Sequence, residues 1–249
     1  QTVAYRQLAV REQPAPAVCC ATENTEKTDK HSQIKVKDDK QTSTISLSNK
    51  SGLNIVFDKQ TGWLKAYTVG GSNLLPDGGT MKPNFWRAVT DNDMGAKLQE
   101  QFAAWRNPAM NLKTMTVDKN HHVVTAVYDM PDVMAQLTMT YEVEPCGRLT
   151  VTEAMKMQQG AKVSDLFRFG LKIDLPYNMD RSTFYGRGPI ENYADRKSSE
   201  RLGIYTQTAD QQFYPYIRPQ ETGTKSDIRW WMQTNAQGLG LRITAAKPF

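Results

Sequence analysis

The chain has 249 residues, 39% hydrophobic and 23% charged, with 31 basic against 26 acidic residues and a formal net charge of +5. That length suits one large domain or two smaller ones, and the apolar share allows a buried core. No apolar run reaches the roughly 18 residues of a transmembrane helix, and the basic residues are scattered among acids without a finger or RNA-platform signature, so neither a membrane nor a nucleic-acid partner is expected.

The opening "QTVAYRQLAVRE" lacks the basic start and apolar block of a secretory signal. Residues 3–10 read as one short strand, and a lone strand does not fold by itself. Residues 1–12 therefore read as the end of a preceding domain, cut from a larger protein. Residues 13–33 carry Pro14, Pro16 and many Thr and Glu, and read as a linker. The three cysteines, Cys19, Cys20 and Cys146, are odd in number with one adjacent pair, which is no disulfide framework. Adding His31, His121 and His122 does not give the four suitably spaced ligands of a structural zinc, so no metal site is expected.

From residue 34 the pattern changes to period two. Ile45 and Leu47 alternate, then Leu53, Ile55 and Phe57; the turn "DKQTG" separates these from Trp63, Leu64 and Tyr67. Leu137, Met139, Tyr141 and Val143 alternate, "EPCGR" turns the chain, and Leu149, Val151, Met155 and Met157 follow with Glu153 interrupting the series. Ile228, Trp230 and Met232, the turn "NAQG", and Leu239, Leu241 and Ile243 form a last hairpin pattern. Only "MGAKLQEQFAAWRN", residues 94–107, reads as helix. Residues 34–249 are thus expected to be all-β, a large antiparallel sandwich. The final "LGLRITAAKPF" stops on a strand without a closing turn, which reads as a second cut.

Two stretches resist this strand reading. In "KPNFWRAVTDNDMGAKLQ", Asp91, Asn92 and Asp93 follow the pair Trp86–Arg87 and precede the expected helix. Helix capping explains such residues. A calcium loop does not, because the glycine and the closing acid fall at the wrong spacings. The third reading is the rim of a sugar site, where carboxylates accept from hydroxyls and Trp86 offers an apolar face. In "TFYGRGPIENYADRKSSERLGIY", residues 183–205, Gly186 and Gly188 allow unusual backbone angles and Pro189 stiffens a turn. Arg187, Glu191, Asn192, Tyr193, Asp195 and Arg196 would then be held as a loop tied by Arg–carboxylate pairs or as a loop facing a sugar or a domain. "GRGPIE" lacks the Gly-Lys-Ser/Thr of a phosphate loop.

"NFWRAVTDND", "FRFGLKIDLP", "YGRGPIENYADR" and "YPYIRPQETGTKSDIRWW", in this order, resemble the C-terminal region of β-galactosidases of glycoside hydrolase family 2. The resemblance covers roughly residues 34–249. It implies a β-super-sandwich of the galactose mutarotase-like type over 34–249, lacking its C-terminal end, and a preceding Ig-like domain to which 1–12 would belong. In that family two glutamates in a (β/α)8 barrel carry out retaining hydrolysis of terminal β-galactosides, their carboxyls about 5 Å apart. The barrel alone takes about 250 residues, so the resemblance places no catalytic residue here. Trp86, Arg87, Asp91, Asn92, Asp93, Arg187, Glu191, Asn192, Tyr193, Asp195 and Arg196 are then carbohydrate-binding or loop-fastening residues, fastening being favoured. The aromatic that stacks on sugar in the family lies in a later Trp motif, so Trp230 and Trp231 do not inherit that role.

The resemblance implies no cofactor in this chain, with Mg or Na left to other parts of the parent. Its partners would be the galactoside substrate, the other domains of the same parent chain and, as an open option, a second copy. Export of relatives that process glycans favours the periplasm by analogy. Two alternatives remain. One is a carbohydrate-binding or interdomain module displaying Tyr185, Tyr193, Phe213, Tyr214 and Tyr216. The other is a stand-alone aldose epimerase, which needs a Glu and a His as base and acid.

Overall fold

The computed structural model describes residues 33–245. The expected strand at 3–10, nearly all of the linker at 13–33, Cys19, Cys20 and His31 lie outside these residues. The described residues are all-β, with every strand pair antiparallel, consistent with a β-sandwich. They divide into two compact units, one of residues 33–87 and Asp93–Leu175, the other of Ala88–Asn92 and residues 176–245.

The first unit opens with a five-stranded meander: β1 (Lys35–Asp39), β2 (Thr44–Ser48), β3 (Asn54–Asp58), β4 (Leu64–Val69) and β5 (Ser72–Asn73). Ile45, Leu47, Ile55, Phe57, Leu64 and Tyr67 point to one buried side, as the alternation requires. The turn between β3 and β4 is closed by the Asp58 carboxylate, which accepts from the backbone N–H groups of Gln60 and Thr61. After β6 (Met81–Asn84) the chain makes two short helical turns, α1 (Asp91–Gly95) and α2 (Leu98–Gln101), and a 3-10 turn at Ala103–Trp105. The single helix expected over 94–107 is therefore broken. Lys97 sits between α1 and α2 in the left-handed region, at φ 58°, so continuous helical hydrogen bonding stops there.

A four-stranded sheet follows, built from β7 (Asn111–Asp118), β8 (Val123–Met130), β9 (Ala135–Val143) and β10 (Leu149–Met157). Val124, Ala126, Tyr128, Leu137, Met139 and Tyr141 are fully buried. Phe57 meets Tyr141 at 4.9 Å between ring centroids, and Trp63 stacks on Tyr128 at 4.3 Å. These contacts join the meander to the four-stranded sheet face to face, so the core of this unit lies between two sheets. Cys146, in the turn between β9 and β10, is disulfide-bonded, although the odd cysteine count argues against a framework of such bonds. β11 (Gly170–Ile173) pairs with β6 as a separate two-stranded ribbon.

The second unit is a four-stranded sheet in the order β13 (Arg201–Thr208), β12 (Arg181–Gly188), β14 (Trp230–Thr234), β15 (Gly240–Thr244). The stretch 183–205, expected to be a loop throughout, is a strand, a loop and a strand: 183–188 complete β12, and Arg201–Tyr205 begin β13. Gly186 and Gly188 do not have positive φ. They are needed for space. A Cβ on Gly186 would lie 2.3 Å from Ile228 Cδ1 and 3.2 Å from Ile228 Cα, and one on Gly188 would lie 2.9 Å from Tyr205 Cδ2. On the buried face, Phe184 stacks on Trp231 at 4.8 Å.

Candidate functional site

The first candidate stretch leaves β6 and enters α1. Arg87 places its guanidinium fork on the carboxylate of buried Asp93, with Nη1–Oδ2 at 2.5 Å and Nη2–Oδ1 at 3.2 Å. This two-pronged geometry is the strong form of an Arg–carboxylate pair. The same guanidinium lies 4.5 Å from the ring centre of Phe167, which Trp86 meets edge-on at 4.8 Å. Trp86, Arg87 and Asp93 thus form one packed group within the first unit. Phe167, which opens the quoted motif "FRFGLKIDLP" but was given no site role from the sequence, is its aromatic base.

Asp91 and Asn92 belong to the second unit. The Asp91 N–H donates to the Pro219 carbonyl at 2.8 Å, and its carboxylate accepts from Arg218 at 3.1 Å. That ties the stretch to the segment "YPYIRPQETG". Asn92 is exposed.

The second candidate stretch forms the loop between β12 and β13. Arg187, the penultimate residue of β12, pairs through Nε with the Asp227 carboxylate and donates through Nη1 to the Glu200 carbonyl at 2.7 Å. Lys197 reaches the other Asp227 oxygen at 3.3 Å. Burial pushes the Asp227 carboxyl up, but hydrogen bonds from Arg187 and Lys197 outweigh it and hold it below the usual range. Asn192 is completely buried. Its Nδ2 donates to the carbonyls of Arg187 (3.1 Å) and Ile190 (3.0 Å), and its Oδ1 accepts from the backbone N–H (3.0 Å) and hydroxyl (2.5 Å) of Ser226.

Glu191 is also buried, and it accepts from the Tyr216 hydroxyl and from Arg196 Nη1 at 3.1 Å; Arg196 also donates to Tyr216 Oη at 2.9 Å. Burial would raise the Glu191 carboxyl, yet the Tyr216 phenol, the residue's own backbone N–H and Arg196 lower it overall. The Tyr216 phenol is raised in turn, first by its bond to Glu191. Tyr193 exchanges backbone hydrogen bonds with Arg196, which closes the loop tip. Asp195 is exposed and stands apart from this group. The Lys225 amine lies 5.7 Å from the Phe184 ring centre, and burial lowers it while the Glu191 and Glu200 carboxylates pull the other way.

Arg87 and Asp93 are therefore fastened within the first unit, and Asp91 and the second stretch within the second. Tyr216, Arg218, Ser226 and Asp227 all lie in the quoted motif "YPYIRPQETGTKSDIRWW", but sequence reading assigned none of them as partners of the candidate residues and weighed Tyr216 only as a displayed aromatic. Asp93, Glu191 and Asp227 each face a guanidinium, and Glu191 and Asp227 are held below the usual carboxylate range, which does not suit either to deliver a proton to a leaving group. Among the described residues no group of three or more His, Cys, Asp and Glu side chains could hold a metal ion.

The family model "Beta galactosidase small chain" matches residues 49–248. The chain is 33% identical over 217 residues to a β-galactosidase of Priestia megaterium, covering 86% of this chain and 20% of that protein. It is 35% identical over 201 residues to a β-galactosidase of Lactobacillus delbrueckii subsp. bulgaricus (78% and 19%), and 30% identical over 209 residues to β-galactosidase BgaC of Bifidobacterium adolescentis (80% and 19%). The chain spans about a fifth of the length of these curated relatives. The match over 200 consecutive positions, on an all-β fold with the quoted motifs in order, places this chain in the β-galactosidase small-chain family.

Proposed function

We propose that the chain is the accessory C-terminal β-domain of a retaining β-galactosidase of glycoside hydrolase family 2, which hydrolyses terminal non-reducing β-galactosides. The glutamate pair and the (β/α)8 barrel that carries it would reside in other parts of the parent enzyme. The observation that carries this reading is the family match over 49–248, set against relatives about five times longer. The fastened loops support it. Buried, saturated groups such as Asn192 and the Arg87–Asp93 pair suit a rigid support for a neighbouring pocket, and Trp86, Asn92 and Asp195 retain exposed surface for contact with sugar or with another domain. Assay of the purified chain with a nitrophenyl β-galactoside is expected to give no turnover above buffer. Turnover that disappears in Glu191→Gln would overturn the proposal.

A second reading, a glycan-binding or interdomain module, draws on one specific observation. Phe213 and Tyr214 are 65% and 58% exposed, and Tyr214 contacts Tyr216 at 4.7 Å. An epimerase gains no support from the two described histidines. His121 is bound to Asp118 in the exposed turn between β7 and β8, and His122 is its neighbour there.

A further inference from the structure

The second unit's sheet has two unlike faces. One is buried along β12 at Ser182, Phe184 and Gly186, with Trp231 half-buried beside Phe184. On the other, the strand register sets Ile204, Tyr185, Trp230 and Thr244 in one row and Thr206, Thr183, Met232 and Arg242 in the next. Side-chain contacts confirm the rows: Thr183 and Thr206 share a hydroxyl hydrogen bond at 3.0 Å, and Tyr185 meets Trp230 at 6.5 Å. Much of this face is open, with Ile204 67% exposed and Arg181, Thr206, Arg242 and Thr244 exposed.

Two guanidinium groups lie against its rings, Arg229 at 5.5 Å from Tyr185 and Arg242 at 5.2 Å from Trp230. Ring contact holds these planar forks in place without a carboxylate. Among the described residues neither Arg181 nor Arg242 has an acidic partner. None of the strand positions on this face is Asp, Glu or Lys; five are Thr, and at the β12 end Arg187 is paired with Asp227, which Lys197 also reaches. The cluster Tyr185, Trp230 and Met232 flanked by Arg181 and Arg242 has the residue types enriched at the centre of protein–protein contacts. The two bordering arginines, without carboxylates among the strand positions of this face, favour an acidic partner over a second copy of the same face.

We propose that this open face, centred on Tyr185, Trp230 and Met232 and bordered by Arg181 and Arg242, docks an acidic polypeptide surface contributed by the part of the parent enzyme outside this chain. The inference rests on the accessory-domain reading and names the contact through which that domain would be held. The relatives' four-fifths of additional length supplies the partner, and the arginines specify carboxylates around its apolar centre.

Hydroxyl-radical footprinting tests it, with oxidation of Tyr185, Trp230 and Met232 read by mass spectrometry in the whole enzyme and in the 249-residue chain. The expected result is several-fold slower oxidation in the whole enzyme, with protection lost in the whole enzyme carrying R181E and R242E. If the charge reversals impair folding, R181Q and R242Q with unchanged circular dichroism serve in their place, with partial loss expected. Equal oxidation in both forms would overturn the inference, as would protection already complete in the chain alone. Protection that appears only on adding heparin would replace the polypeptide with an acidic glycan. Absence of galactoside hydrolysis by the whole enzyme would remove the functional reading, while the footprint comparison would still judge this face.

Discussion

Asn192 donates twice and accepts twice, which is the full capacity of a carboxamide. It joins the end of β12 to the polar run that precedes β14. Asn192→Ala would leave two carbonyls and the Ser226 N–H without their partner inside the fold, and a loss of about 2–4 kcal/mol is expected. Urea denaturation checks it. Glu153 is the opposite case. It lies half-buried on the core side of β10, its Oε1 is buried without a hydrogen-bond partner, and burial pushes its carboxyl up to about 7. A folded-state value above the unfolded one of 4.5 means that ionisation is easier in the unfolded chain. The wild type should therefore lose stability relative to Glu153→Gln as pH rises from the unfolded value through the folded one, by on the order of 1–2 kcal/mol once solvent screening is allowed for. Denaturation midpoints at acidic and mildly alkaline pH measure it. Equal differences at both would remove the linkage.

Which elements the sequence disclosed depended on what filled their buried positions. β2, β3, β9 and β14 were legible because large apolar residues such as Leu47, Phe57, Tyr141 and Trp230 alternate with polar ones. β12 was not, because its buried positions are Ser182, Phe184, Gly186 and Gly188, and three of those four carry no apolar bulk. The glycines that looked like turn residues mark close approach to Ile228 and Tyr205 instead. Gly186→Ala should thus destabilise by about 1–3 kcal/mol through overpacking, not backbone strain. Thermal melting of Gly186→Ala alone and with Ile228→Val tests this, since trimming Ile228 Cδ1 should recover part of the loss. The helix misreading has a similar root: the pattern over 94–107 has helical composition, but nothing in it signals the left-handed Lys97. For the candidate site, the motif residues were legible. Their partners were not, because pairs such as Arg187–Asp227, 40 positions apart, depend on strand order and not on local spacing.

Across the whole molecule, the chain spans about a fifth of the length of its curated relatives, and the accessory-domain proposal sets what it should do in isolation. Its five tryptophans report separately on the two units, Trp63, Trp86 and Trp105 in one, Trp230 and Trp231 in the other. An NMR titration with galactose is expected to leave all five indole N–H signals in place up to high millimolar sugar, because the fastened loops are already saturated by their own partners. A saturable shift confined to Trp86 would instead show a sugar contact kept by the chain alone.

The outer edge of β10 meets no further strand among the described residues. Such an edge invites strand addition from other molecules, and an inward-pointing charge is one of the devices that discourages it. Glu153 is placed to do this only while ionised. Mild acid would then strengthen each folded molecule and, in the same step, remove the guard on its edge. Glu153 should therefore act in opposite directions on folding and on shelf life, with concentrated stocks of the wild type staying clear longer on the alkaline side, where its own contribution to the fold is weaker.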